Sequence, residues 1–184
     1  MEQNIDRKAL IRAAFAAREY AYTPYSNFKV GAALLAKNGS VYTGCNIECA
    51  TFTPTNCAER TALFKAVSEG VHGFAAVAVV GAKDGAPDDA LITSPCGVCR
   101  QMLYEFGGPD LRVIMAKSEN DWQEMTLGEL LPLGFGKGAV TFFDKKRPFC
   151  SAPVQPDSPC PAARFQKHAA AFLKHLHSGA VKNL

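Results

Sequence analysis

The sequence of 184 residues lacks a hydrophobic run long enough to cross a membrane. Its longest apolar run, residues 74–81, is far shorter than the roughly 20 residues that a spanning helix needs. It also lacks a signal-peptide pattern, because the first residues are charged and Arg12, Arg18 and Glu19 interrupt the alanine-rich stretch behind them. We therefore expect a cytoplasmic chain with no membrane partner.

Charged residues are scarce. They make up 20% of the chain against 48% hydrophobic residues, a balance that excludes disordered, collagen-like and coiled-coil proteins. The formal net charge of +3 is unevenly distributed: residues 1–144 carry 13 Lys and Arg against 16 Asp and Glu, whereas residues 145–184 carry 7 against 1. We predict a folded domain over residues 1–144, followed over residues 145–184 by a proline-rich linker and a short basic amphipathic helix.

Helices and strands alternate along the first of these segments. Apolar periodicity predicts helices over residues 6–20, 57–69 and 96–106. Short apolar runs predict strands over residues 28–36, 40–45, 74–81, 111–116 and 140–143. Asn38-Gly39 predicts a hairpin, Pro95 the first position of a helix, and Thr126 with Glu129 a capping box. The pattern indicates an α/β fold whose sheet starts with an antiparallel pair.

Seven cysteines in a chain without an export signal are expected to stay reduced, which makes their spacing informative. Cys57 opens one predicted helix, and Cys96 and Cys99 form a Cys-x-x-Cys pair at the start of another. A helix N-terminus favours the thiolate that binds a metal. Three thiolates suit tetrahedral zinc and leave the fourth position to water, as in catalytic sites. We predict one Zn²⁺ per chain.

Two charged residues follow Cys57 closely. Glu59 is near enough to face the metal without binding it, so it can take a proton from a zinc-bound water and deliver it to a substrate nitrogen. Zinc with three thiolates has a net negative charge, which weakens its effect on that water. We expect Arg60 to offset this charge by hydrogen-bonding a ligand sulfur.

A wider pattern surrounds these residues. It comprises five segments, namely residues 25–33 (YSNFKVGAA), 44–48 (GCNIE), 57–62 (CAERTA), 94–101 (SPCGVCRQ) and 130–135 (LLP followed by Phe135). In this order they resemble the zinc-dependent cytidine deaminases of the small homotetrameric type. The resemblance covers the chain to about Asp144. It implies that residues 1–144 are the catalytic domain, a three-layer α/β/α sandwich with a mixed central sheet, to which a C-terminal extension is added.

The resemblance also implies an activity, the hydrolytic deamination of cytidine and deoxycytidine to uridine and deoxyuridine in pyrimidine salvage. Zinc-bound hydroxide would attack C4 of the cytosine ring, while Glu59 would protonate N3 and later the leaving ammonia. The implied substrate contacts are Phe28 against the nucleoside, the Ala58 backbone on the base, and Asn46 and Glu48 on the ribose 3′-hydroxyl.

Homotetramers of this type share their sites between subunits, so Ala50 and Phe135 are expected to act on a neighbouring subunit's substrate. The chain departs here from the family pattern Asn-x-Glu-Asn-Ala-x-Tyr. Cys49 stands in place of the amide and Phe52 in place of the phenol, so two hydrogen-bonding groups are lost. We expect this change to alter the contacts across subunits and the affinity for ribose or deoxyribose, but not metal binding or proton transfer.

A structural zinc site is one alternative interpretation. Cys45 and Cys49 would join Cys96 and Cys99 as four thiolates in a zinc-binding or oligomerisation protein. This alternative leaves Glu59 without a role. The remaining cysteines, Cys150 and Cys160, fit no zinc spacing and are expected to be unpaired thiols.

A second alternative keeps the chemistry and changes the substrate to another cytosine nucleoside, or to cytosine in a polynucleotide held by the basic segment. The basic residues of that segment are spread over forty positions without a dense run. The ribose-binding pair Asn46 and Glu48 also favours a free nucleoside. We therefore expect no nucleic-acid partner.

Overall fold

The computed structural model describes residues 5–85 and 92–136. These residues belong to one compact unit, Met1–Ala139. The strand expected at residues 140–143, the extension over residues 145–184 and the thiols Cys150 and Cys160 lie outside the described residues. Among the helices within the described ranges, none is long and apolar enough to span a bilayer.

The elements follow one another nearly as predicted, with boundaries that differ by a few residues. The helices of the described part are α1 (Arg7–Arg18), α2 (Ala58–Ser68), α3 (Gly97–Gly107) and α4 (Leu127–Leu130). The strands are β1 (Phe28–Ala36), β2 (Val41–Cys45), β3 (Phe74–Lys83), β4 (Arg112–Ser118) and β5 (Asp121–Thr126). The predicted capping box is present, because Thr126 accepts from the Glu129 N–H and the Glu129 carboxylate accepts from the Thr126 N–H.

The five strands form one mixed sheet in the order β2-β1-β3-β4-β5. Strands β3 and β4 are parallel, and the other neighbouring pairs are antiparallel. The predicted hairpin between β1 and β2 is confirmed, and Gly39 in its turn has φ 91°, a conformation that glycine adopts without strain.

Both faces of the sheet are covered by helices. Successive side chains of a strand point to opposite faces, and along β1 they divide accordingly. Leu34 and Ala36 pack with α2 and α3 in one core cluster, whereas Ala33 and Leu35 pack with α1 in the other. The predicted three-layer α/β/α sandwich is therefore confirmed.

A glycine in β2 lets the helix that carries Cys57 and Glu59 approach the sheet closely. A Cβ atom added at Gly44 would lie 2.5 Å from both the Ala58 oxygen and the Ala62 nitrogen. Both atoms belong to the backbone of α2, which cannot move aside as a flexible side chain would.

Gly44→Ala is therefore expected to lower the free energy of unfolding by about 1–3 kcal/mol, as overpacked cores usually do. Urea unfolding followed by circular dichroism measures this change. Gly73→Ala is the matched control, because an added Cβ there meets only the Lys37 side chain, at 3.5 Å. Equal midpoints for the two variants would contradict the close packing of α2 on β2.

Two details differ from the sequence prediction. Pro95 is not the first helical residue, because Cys96 after it is the N-cap of α3 and has an extended backbone (φ −68°, ψ 165°). The Pro95 oxygen accepts a hydrogen bond from the Arg100 side chain. Strand β5 has no counterpart in the prediction. It is an edge strand of mostly polar residues, so no buried apolar alternation marks it in the sequence.

Candidate metal centre and active site

Two helix N-termini carry the predicted metal ligands. Cys57 is the N-cap of α2 and Cys96 the N-cap of α3, both with extended backbones (ψ 155° and 165°), and Cys99 lies in the first turn of α3. Neither N-cap side chain bonds to its own helix. Both are therefore available to a ligand at the positive ends of the two helix dipoles.

The three sulfur atoms form a compact group. All lie within 4.8 Å of one another, and the Sγ atoms of Cys57 and Cys96 are 3.9 Å apart. Tetrahedral zinc with bonds of about 2.3 Å separates its sulfur ligands by about 3.8 Å. The donor set and its spacing therefore fit zinc, and three ligands leave one position open.

The other two cysteines of the described part lie apart from this group. The Cys45 thiol donates to the Tyr20 oxygen at 3.3 Å, and the Cys49 thiol lies 3.3 Å from Thr51 Oγ1. Among residues 5–85 and 92–136, the only His, Cys, Asp and Glu residues grouped for a metal are the three cysteines of the cluster. The arrangement contradicts a closed four-thiolate site containing Cys45 and Cys49.

The cluster favours ionisation of Cys57. A hydrogen bond from Cys99, together with Arg60 and Cys96, lowers the pKa of Cys57 to about 5. The same interaction with Cys57, together with burial, raises the pKa of Cys99. Opposite pKa shifts of this kind are typical of closely spaced thiols, which must lose their protons to bind a divalent cation.

Glu59 lies in the first turn of α2 and is only 4% exposed. Burial raises the pKa of Glu59 to about 7, and the negative charge of Cys57 adds to the rise, whereas a hydrogen bond from Cys99 and the charge of Arg60 oppose it. A carboxyl group with this pKa both accepts and donates protons near neutral pH.

Arg60 lies on the same turn and reaches the cysteine cluster. Its Nη2 donates to the Thr55 oxygen at 3.1 Å and lies 3.7 Å from Cys57 Sγ. Its buried Nε has no hydrogen-bond partner in the described part of the chain. Three thiolate ligands would carry more negative charge than a divalent metal ion can balance. A positive charge beside the sulfurs therefore suits such a centre.

Phe28, the first residue of β1, is half-buried against the sheet. A Cβ atom at Gly81 would lie 3.0 Å from Phe28 Cε1 and 2.6 Å from Thr93 Oγ1, so this glycine makes room for both side chains. The Thr93 hydroxyl also donates to the Gly81 oxygen at 3.2 Å. Gly81 and Thr93, which lie beside Phe28, belong to none of the sequence motifs that predict the site.

Asn46 directly follows β2, and its amide bonds to β1. Its Oδ1 accepts from the Val30 N–H at 2.8 Å, and its Nδ2 donates to the Phe28 oxygen at 2.9 Å. Asn46 thus fixes the backbone that carries Phe28. One proton and one lone pair of the amide stay available for a further partner.

The Glu48 carboxylate is held by the loop before β1. Its Oε2 accepts from the N–H groups of Tyr25 and Ser26 at 3.0 and 3.2 Å. Hydrogen bonds from Ser26, and from the Tyr25 backbone, lower the pKa of Glu48, so it is an anion at neutral pH.

The remaining predicted site residues divide by exposure. Ala58 is fully buried at the start of α2, whereas Ala50 and Phe135 are exposed, Phe135 by 56%. The Phe135 oxygen accepts from Gln101 Nε2 at 2.8 Å. Phe52, at the position where the chain departs from the resembled pattern, is 70% exposed and contacts Tyr25 edge to face.

Comparisons with known proteins point to one family. The family model for the cytidine and deoxycytidylate deaminase zinc-binding region matches residues 4–116. The cytidine deaminase of Sporosarcina psychrophila is 47% identical over 75% of this chain and 97% of its own length. That of Halalkalibacterium halodurans is 51% identical over 71% of this chain and 95% of its own.

Solved structures agree as well. The cytidine deaminase from Burkholderia pseudomallei superposes with a TM-score of 0.64 at 49% identity, covering 71% of this chain and all (100%) of that one. The cytidine deaminase from Mycobacterium tuberculosis gives a TM-score of 0.62 at 38% identity, over 72% of this chain and 99% of that one. Its three-cysteine cluster, its fold and these similarities show that the chain belongs to the cytidine and deoxycytidylate deaminase family.

Proposed function

We propose that this chain catalyses the hydrolytic deamination of cytidine and deoxycytidine to uridine and deoxyuridine, with release of ammonia. The observation that carries the proposal is the buried Glu59 beside the cluster of Cys57, Cys96 and Cys99. A structural metal site has no need of a buried acidic residue in its wall. The relatives named as cytidine deaminases support the choice of substrate.

Zinc bound by the three cysteines would supply a Lewis acid that makes water a nucleophile at neutral pH. Glu59 takes a proton from the attacking water and passes it to N3 of the cytosine ring. It then takes the remaining proton of the hydroxyl group added at C4 and delivers it to the amino group, so that the C4–N bond breaks, ammonia leaves and the C4 carbonyl forms. Burial of Glu59 supports both transfers, because its raised pKa lets it change protonation state near pH 7.

The nucleoside is held by residues around β1 and the start of α2. Phe28 packs against it, and the Ala58 backbone bonds the base. Asn46 and Glu48 bond the ribose 3′-hydroxyl, for which the anionic Glu48 is an acceptor and the Asn46 amide a further partner. A site built to bond that hydroxyl discriminates against analogues that lack it.

We place the activity in a homotetramer whose subunits complete one another's sites. Several large apolar side chains of the described part are exposed, including Tyr20 (81%), Phe52 (70%) and Leu133 (101%). Exposed apolar surface of this kind is typical of subunit interfaces. Ala50 and Phe135 would reach a neighbour's substrate, and size-exclusion chromatography with light scattering measures the assembly.

All proposed catalytic residues lie within residues 1–144, which we assign as the catalytic domain, with residues 145–184 as an appended linker and basic helix. A reducing compartment such as the cytoplasm suits the centre, because its thiolates must stay unoxidised to bind metal.

The experiment that tests the function supplies cytidine, deoxycytidine and a cytosine-containing oligonucleotide to the purified protein, and measures ammonia release and bound zinc. We expect release from both nucleosides and one zinc per chain. Release from the oligonucleotide alone would replace the nucleoside with a polymer as substrate. Zinc without release from any of the three would contradict the proposed activity.

Arg60→Ala is expected to lower kcat about 10- to 100-fold, the usual cost of removing a partner of a metal ligand. The substitution removes the positive charge beside Cys57 Sγ, so the thiolate charge is no longer offset. Steady-state ammonia release and zinc analysis measure the effect. Lys65→Ala removes a cation from the last turn of the same helix and is expected to leave kcat unchanged. Equal rates for the two variants would show that the Arg60 charge has no part in catalysis.

A further inference from the structure

Arg100 binds three oxygen atoms with the three nitrogens of its guanidinium group. Nε donates to the Pro95 oxygen at 2.8 Å, and Nη2 to Ser94 Oγ at 2.8 Å. Nη1 donates to the Leu130 oxygen at 2.7 Å. The first two acceptors lie in the loop that precedes α3, and the third is the last residue of α4.

The loop so held positions one metal ligand in particular. Cys99 is buried within α3 and is oriented by the helix itself, whereas Cys96 is exposed at the N-cap. The Cys96 side chain makes no capping bond, so its direction depends on the backbone of Ser94 and Pro95. Both of these residues are bound by Arg100.

The Leu130 oxygen, the third acceptor of Arg100, lies in a segment that is itself held in place. A capping box formed by Thr126 and Glu129 closes the start of α4. Beyond its end, Gln101 donates to the Phe135 oxygen at 2.8 Å, which ties the following segment to the same turn of α3. Leu130 thus presents its oxygen from a segment that is held at both ends.

We propose that Arg100 is a positioning residue for the metal centre, which keeps Cys96 in ligand geometry by fixing the Ser94–Pro95 backbone against the end of α4. The inference rests on the zinc site of the proposed function. A planar guanidinium reaches three acceptors in fixed directions, which an ammonium group on a flexible stem cannot do. Charge alone therefore does not satisfy the role.

Arg100→Lys tests the proposal, because it keeps the positive charge but loses the planar group whose three nitrogens bond the three acceptors. We expect zinc to transfer to a chromogenic chelator about 10- to 100-fold faster than from the unaltered protein. We also expect the d–d absorption bands of the Co²⁺-substituted protein to shift and kcat for cytidine to fall, with little change in KM. Arg12→Lys, at an exposed arginine paired with Glu119 on another part of the surface, is the control and should match the unaltered protein.

A purely structural role predicts a different result, in which the melting temperature falls while the zinc-release rate and the Co²⁺ spectrum stay unchanged. That result would overturn the proposal. Should Arg100→Lys fail to fold, Ser94→Ala removes one acceptor alone and is expected to speed zinc release by a smaller factor; an unchanged rate would again overturn it. Zinc release is measured without substrate and is therefore independent of the activity. If the unaltered protein binds zinc but releases no ammonia, the proposed function is rejected, and the zinc-release rates of the variants still decide whether Arg100 positions Cys96.

Discussion

Glu59→Gln is expected to lower kcat for cytidine about 10²- to 10⁴-fold while zinc stays at one per chain, because the amide keeps the shape of the side chain but cannot carry a proton. Glu59 is the only buried acidic side chain among the described residues. No other described carboxylate is therefore placed to substitute for it in the interior. Ammonia release under saturating cytidine, with metal analysis of the same sample, measures both quantities.

Glu69→Gln is the matched control, since Glu69 is the exposed C-cap of the same helix. It should leave kcat, KM and zinc content unchanged. Near-normal turnover by the Glu59 variant would refute the proton-transfer assignment. Loss of zinc from that variant would instead show that Glu59 supports the metal rather than the proton.

Cys99→Ser is expected to remove stoichiometric zinc and to reduce activity by more than the roughly 100-fold that loss of an outer contact to a metal ligand can produce. Cys99 is fully buried, and its sulfur is one of the three that form the cluster. A serine hydroxyl is a harder and far less acidic donor than a thiol, so it cannot replace the thiolate in this soft site. Zinc per chain and ammonia release are measured on protein purified with and without added zinc.

The cysteines outside the cluster provide the control. Cys45→Ser and Cys49→Ser change thiols that bond to Tyr20 and to Thr51, outside the cluster, so both variants should keep one zinc per chain. Zinc lost from the Cys49 variant but kept by the Cys99 variant would mean that a different set of thiols binds the metal.

The fold was largely predictable because its signals are local. The Asn38-Gly39 turn, the capping box at Thr126 and the long apolar strand β3 each depend on a few neighbouring residues. Strand β5 lacked such a signal, since an edge strand buries little and its pairing with β4 is a long-range choice. The start of α3 was misplaced because proline suits the first helical turn in general, whereas here Pro95 precedes the N-cap Cys96 and its oxygen accepts from the side chain of Arg100 in α3.

The candidate ligands of the site could be predicted from the sequence, but the side chains that hold them in place could not. Two predicted helix starts and a Cys-x-x-Cys pair pointed to Cys57, Cys96 and Cys99, because a ligand at a helix start is recognisable from sequence. Arg100 could not be found in this way, since two of its three acceptors are backbone oxygens and any residue type could provide them. The two hydrogen bonds between the Asn46 side chain and the backbone of β1 could not be predicted from the sequence for the same reason.

The sequence by itself indicated the fold class, the three candidate metal ligands and the acidic residue near one of them, since the signals for each are local patterns of helix starts, turns and strands. Only the tertiary structure decided that two helix starts, 39 residues apart in sequence, bring the sulfurs of Cys57 and Cys96 to 3.9 Å. It also decided that Glu59 is buried enough to titrate near pH 7, since burial depends on the close packing of α2 on the sheet. Long-range packing sets these distances and solvation, and no local pattern encodes either.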